Sequence, residues 1–136
     1  SRALHLTEAQ YSALLAKQQG LPSSAKPLNG HSYGVRIHAD GFIFDSKAEH
    51  AHYQELKWLQ HGNLIRDLKV HTKFCFVVNN QKIGTYTCDF DYFDLLKNQR
   101  VIEDVKNSHN QHDRSFRRVL KLMRAHLGIE VQVVVR

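Results

Sequence analysis

The sequence predicts an α/β domain with a mixed central sheet flanked by helices and preceded by an accessory helix. Three observations predict it. A β-hairpin signal runs straight into an amphipathic helix; three strand-like runs then follow with no helix between them; a second amphipathic helix leads into a last apolar strand. From Ser46 onward the order is therefore helix, three strands, helix, strand. The 136 residues suit one core domain, residues 35–136, with residues 1–34 as an N-terminal arm.

Within the arm, Thr7 to Gln19 reads as a short helix. Thr7 serves as N-cap, Gln10 closes a capping box, and Gly20 stops the run. Leu21 to Gly34 holds Pro22, Pro27, Ser23, Ser24, Asn29 and Gly30, the composition of a linker. Val35 to Ala39 and Phe42 to Phe44 flank Asp40-Gly41, a strong hairpin signal. Asp45 or Ser46 then caps a helix to about His61, with Ala48, Ala51, His52, Leu56 and Leu59 facing inward and Gly62 ending it. Strands are expected over Leu64–Val78, Lys82–Phe93 and Arg100–Lys106. Asn79-Asn80 makes the first turn and Lys97-Asn98-Gln99 the second connection. A second helix runs from about His112 to Leu127, with Phe116, Val119, Leu120, Met123 and Leu127 on its apolar face. After Gly128, Ile129 to Val135 reads as a largely buried strand. Trp58, Phe74 and Phe76 are expected in the core.

A hydrophobic fraction of 42% with 24% charged residues belongs to a soluble globular chain able to bury a core without disulfides. Nineteen Lys and Arg against 13 Asp and Glu give a net charge of +6, which favours polyanionic partners. Cys75 and Cys88 lack metal-site spacing and point to a reduced, cytoplasmic protein. No apolar run approaches the roughly 18 residues of a membrane helix, so no membrane partner is expected. The His residues lack partner Cys or His at zinc spacing and read as scattered surface and core residues.

Chemistry concentrates in Ile102-Glu103-Asp104-Val105-Lys106. Strand alternation puts Asp104 and Lys106 on one face and Glu103 on the other. Asp89, in the preceding strand, would sit beside Asp104 in a hairpin. Two adjacent carboxylates repel unless a cation lies between them, and Mg²⁺ prefers oxygen ligands with waters retained. Such an ion activates water and neutralises charge on a phosphate, while Lys106 steadies that charge or orients the water.

Phe44-Asp45-Ser46-Lys47-Ala48-Glu49, Tyr86-Thr87-Cys88-Asp89-Phe90 and Val101-Ile102-Glu103-Asp104-Val105-Lys106 resemble the three motifs of the PD-(D/E)XK nucleases. They are similar in particular to the phage junction-resolving endonuclease I and to a related uncharacterised phage nuclease-like family, over about residues 35 to 135. The resemblance implies a restriction-endonuclease-like core and a Mg²⁺-dependent endonuclease, with Mn²⁺ substituting. It implies that Glu49, Asp89, Asp104 and Lys106 are catalytic, and that Glu49, Asp89, Asp104 and the Val105 carbonyl hold metal. It further implies branched or junction DNA as substrate in phage or mobile-element recombination or replication, inside a bacterial host cytoplasm, which a homodimer can cut. Two positions depart from the pattern: Cys88 stands where the family usually has Pro, and Asn107 where Gly often follows the Lys.

On the second helix, Arg114, Arg117, Arg118, Lys121 and Arg124 recur opposite the apolar face. Arg114, Arg117, Arg118 and Lys121 are expected to contact phosphates. Plainer readings stand beside these. Glu49 fits the closing position of a Ser46-x-x-Glu49 capping box. Asp89, Asp91 and Asp94 could form a solvated acidic face. Asp104 and Lys106 could be a surface ion pair worth a few tenths of a kcal/mol, and a basic helix face is often merely solvated. The rival functions are a restriction-like or RNA-directed nuclease, a non-catalytic nucleic-acid-binding protein, and a protein-interaction module.

Overall fold

The computed structural model describes residues 36–136, so the expected helix and linker of residues 1–34 lie outside the described residues. Strands β1 (Ile37–Ala39) and β2 (Phe42–Phe44) form the expected hairpin. Its turn needs two left-handed residues in a row, and Asp40 (φ 51°) and Gly41 (φ 82°) supply them. Helix α1 (Lys47–His61) follows, then β3 (Ile65–Val70), β4 (Lys73–Val78), β5 (Gln81–Thr87), β6 (Phe90–Asp94) and β7 (Gln99–Lys106). A 3₁₀ turn over Asn110–His112 leads into α2 (Arg114–Leu127) and β8 (Val131–Val135).

The main sheet has the order β3-β6-β7-β8, antiparallel except for the β7–β8 pair. Parallel pairing of β7 and β8 follows from the helix between them, which returns the chain to the same end of the sheet. Tyr53 and Leu56 of α1 pack with Phe44, Ile65, Phe90, Tyr92 and Val101 on one side. Phe116 and Met123 of α2 pack with Ile102, Val131, Phe76, Tyr86 and Cys88 on the other. The expected mixed α/β architecture is present. Among the described residues, no helix is long and apolar enough to cross a membrane.

Several local expectations are corrected. Three strands become five, because both long runs break: the first at His71-Thr72, the second at Cys88-Asp89. The breaks face each other. His71 N–H donates to the Asp89 carbonyl (3.1 Å) and Cys88 N–H to the Thr72 carbonyl (3.0 Å), so β4 and β5 leave the sheet together as a separate hairpin. On α1 the deepest residues are Glu49, Tyr53 and Leu56, rather than the alanines of the expected stripe. Helix α2 begins at Arg114 because Asp113 caps it, accepting the Phe116 N–H at 3.1 Å. Leu127, at its far end, is exposed. Strand β8 is an edge strand with only Val131 buried, so its Val run is not the mark of a central strand. Trp58 lies half-buried against a surface pocket with Gln54, Lys57 and His61, whereas Phe76 is in the core and Phe74 packs at its margin.

Candidate active site

The double break decides where side chains meet. Because β6 begins only at Phe90, Asp89 lies in the bend before it rather than within a strand as expected, level with the end of β7. Its main-chain N–H still donates to the Glu103 carbonyl (3.1 Å). Beyond that point the side chain replaces the ladder, and Asp89 Oδ2 accepts the Val105 N–H at 2.7 Å. In a strand the N–H and C=O of one residue point to the same edge, so the Val105 carbonyl is directed to the Asp89 side as well.

Asp104 is 3% exposed, which overturns the reading of a surface ion pair with Lys106. Its Oδ2 accepts the Tyr86 hydroxyl at 2.6 Å. Lys106 Nζ lies 3.0 Å from Oδ1, but off the line of a hydrogen bond, so Oδ1 is buried without a hydrogen-bond partner. The Lys106 ammonium also sits over the Phe116 ring, 4.6 Å from its centroid. Glu103, as expected from alternation, faces the other way and meets His52 of α1 at 2.9 Å.

Glu49 enters from α1, where a place in the helix cap and a contact turned inward are compatible. Ser46 Oγ accepts the Glu49 N–H at 3.0 Å. Glu49 Oε2 reaches back to the Asp45 N–H (3.3 Å), one residue short of the usual capping-box partner. That leaves Oε1 free to turn inward, where it meets His71 Nε2 at 2.7 Å, with the Glu49 side chain 7% exposed.

Charge accumulates at this point. Burial first, and then the neighbouring Asp104 carboxylate, hold the Asp89 carboxyl far above the ordinary carboxylate range; Glu49 adds to this, while the Val105 N–H and Lys106 oppose it. Burial, with its hydrogen bond to Asp104, likewise raises the Tyr86 hydroxyl. Glu49, His71 and Asp89 each offer a ligand atom, and these atoms lie within 4.8 Å of one another.

His71 was missed by sequence reasoning. Its neighbours are 22 and 18 residues away in the chain, and no short-range spacing exposes it. The signal that could have found it is register: Lys69 pairs with Asp91 and Val70 with Phe90, so the next step sets His71 against Asp89. The two departures from the nuclease pattern also acquire reasons. Cys88 donates its N–H to Thr72, a bond that proline cannot make. Asn107 Oδ1 accepts the N–H groups of His109 (2.9 Å) and Asn110 (2.7 Å), closing the turn after β7.

Arg114, Arg117, Arg118 and Lys121 are exposed on α2, without an ion pair among the described residues. Arg124 instead pairs with Glu130 through hydrogen bonds of 2.7 and 3.1 Å. The aromatic setting of Lys106 on Phe116 ties the start of this helix to the acid cluster.

No curated protein and no solved structure gives a significant match to the chain. Residues 31–134 match the model of a family described as "Protein of unknown function (DUF1064)". The match spans both core clusters together with Glu49, Asp89, Asp104 and Lys106, and the chain belongs to that family.

Proposed function

We propose that this chain is a Mg²⁺-dependent endodeoxyribonuclease of the PD-(D/E)XK type on a restriction-endonuclease-like core, with Mn²⁺ able to substitute. One observation carries the reading: Asp104 Oδ1 is buried without a hydrogen bond, at the same sheet end as Asp89, Glu49 and Lys106. An acidic set like this is unfavourable in itself and becomes favourable around a cation. Its all-oxygen side, Asp89 and Asp104 with the Val105 carbonyl and water, suits Mg²⁺. A divalent ion supplies Lewis acidity toward a phosphoryl oxygen and lowers the pKa of a bound water.

The chain's own groups divide the remaining work. Lys106, fixed by Asp104 and the Phe116 ring, holds negative charge that builds on the phosphate and orients the attacking water. Glu49, anchored by its cap, brings a third carboxylate from α1. Arg114, Arg117, Arg118 and Lys121 grip phosphates flanking the cut, with affinity that falls as salt rises. The motif resemblance favours branched or junction DNA, in phage or mobile-element recombination or replication, with a homodimer as a cutting unit.

The test is Asp104→Asn, assayed on junction, flap, duplex and RNA substrates with Mg²⁺. The expected result is a loss of cleavage on the order of 10³-fold, with DNA affinity within about threefold of wild type. Preference for plain duplex or RNA would shift the reading to a restriction-like or RNA-directed enzyme. A wild-type chain that binds DNA but cuts none of the panel would make it a non-catalytic binding protein.

A further inference from the structure

We infer that His71 is a metal ligand, and that Glu49, His71 and Asp89 form a position selective for a divalent transition ion such as Mn²⁺ over Mg²⁺. The inference deepens the metal-dependent reading, since it takes Glu49 and Asp89 from that site, but it does not require the chain to cut DNA.

Geometry comes first. With metal–ligand bonds of about 2.0–2.2 Å, two ligand atoms on one ion stand at most about 4.4 Å apart. The three ligand atoms here already fall within 4.8 Å of one another, so a small inward shift closes the set. His71 Nε2 is the ring atom turned toward Glu49, at 2.7 Å. The His71 ring rests against Phe44 with 5.9 Å between ring centroids, which limits its swing, yet its side chain keeps 32% exposure, so an ion has a way in. The backbone at His71 is left-handed (φ 60°), and this conformation breaks β3 from β4.

A second observation, at Asp104 outside the set, also points to a cation. Asp104, whose side chain is 4% exposed, has its Oδ1 3.0 Å from the Lys106 ammonium but without a hydrogen bond, and it is close enough to Asp89 for the two carboxylates to repel. Asp89 is thus the carboxylate common to both sides of the site, with Asp104 on one hand and Glu49 with His71 on the other. Around Asp104 the donors are oxygens, the set that Mg²⁺ accepts. Around His71 one donor is an imidazole nitrogen. Nitrogen donors favour transition ions over Mg²⁺, which demands near-ideal octahedral oxygen coordination and gives up its waters reluctantly.

The simpler alternative is that His71 serves only as a hydrogen-bond partner for the buried Glu49. His71→Gln separates the two, because the amide places a donor near the position of Nε2 and can keep Glu49 partnered while removing the imidazole. The full chain would be titrated with MnCl₂ and, separately, with MgCl₂. Wild-type protein is expected to bind Mn²⁺ at least about tenfold more tightly than Mg²⁺, and His71→Gln to lose that margin with Mg²⁺ affinity changed less than about threefold. Pulsed electron paramagnetic resonance of Mn²⁺ on the wild-type chain should show coupling to a ¹⁴N nucleus, absent in His71→Gln. The spectrum of the wild type alone decides the matter should the variant fail to fold. Absence of ¹⁴N coupling, or equal Mn²⁺ affinity in both proteins, overturns the assignment. Nitrogen coupling without DNA cleavage would keep this metal position and discard the nuclease; Mg²⁺-driven cleavage without nitrogen coupling would do the reverse.

Discussion

Asp91 and Asp104 sit on one sheet, each 3% exposed, and chemistry treats them oppositely. Asp91 pairs across the ladder with Ile102, so the two acids share the face that α2 covers. Asp91 is neutralised: Arg100 grips both its oxygens, at 2.9 and 2.8 Å. Burial alone would raise its carboxyl, but the Arg100 hydrogen bonds and charge outweigh burial and hold it below the usual range. Asp104 has one hydroxyl donor, an ammonium off the hydrogen-bond line, and a repelling neighbour in Asp89. A buried acid that is fully partnered serves the fold; one left short of partners beside another acid is a candidate for chemistry. The alternative of a solvated acidic face fails at Asp91 for the same reason, since Arg100 and burial claim it.

Substitutions should break this contrast in opposite directions. The largest change in stability is expected from Arg100→Ala, which strands Asp91 as an unpaired buried charge. A fully buried pair would lose about 3–5 kcal/mol. Arg100 is half-exposed, so water can reach the vacated position, and a loss of about 2 kcal/mol in urea unfolding is expected. Asp89→Asn should act with the other sign. It removes one of two repelling carboxylates while an amide oxygen still accepts the Val105 N–H, so metal-free stability should rise by about 1 kcal/mol even as cleavage is lost. A drop in metal-free stability would show that Asp89 is a structural acid like Asp91.

The pH dependence sharpens the comparison. Asp89 holds its proton more tightly folded than unfolded, so its contribution is present below about pH 4 and is lost as pH rises toward the raised folded value. Asp91, held low, contributes stability above about pH 4 that is lost as pH falls through its lowered folded value. With chelator present, the advantage of Asp89→Asn over wild type in thermal unfolding should therefore shrink on acidification, and added Mg²⁺ should erase it at neutral pH. A constant advantage across pH would contradict the coupling of Asp89 to Asp104.

The smallest expected effect belongs to the exposed helix. Replacing Arg117 and Lys121 by Ala should leave stability within about 0.5 kcal/mol, because neither is paired among the described residues. Fluorescence anisotropy across a salt series should show the slope of log affinity falling by about one unit per phosphate contact removed. An unchanged slope would return the stripe to being a solvated face.

The sequence by itself determined the alternation of hairpin, helix, strand region, helix and last strand, the Asp40-Gly41 and Asn79-Asn80 turns, both helix stops, and the shared face of Asp104 and Lys106. These rest on local rules: left-handed turn residues, helix caps and the alternation of a strand. Local rules could not show that two long strand runs break at His71-Thr72 and Cys88-Asp89, because each break is held by hydrogen bonds to the other. Nor could they show that the Val-rich last strand lies at an edge, which depends on who pairs with whom. The recruitment of His71 to Glu49 and Asp89 was likewise decided only by the tertiary structure. It follows from the β3–β6 register and from a helix cap that turns one Glu49 oxygen inward, and neither has a signature within a few residues of His71.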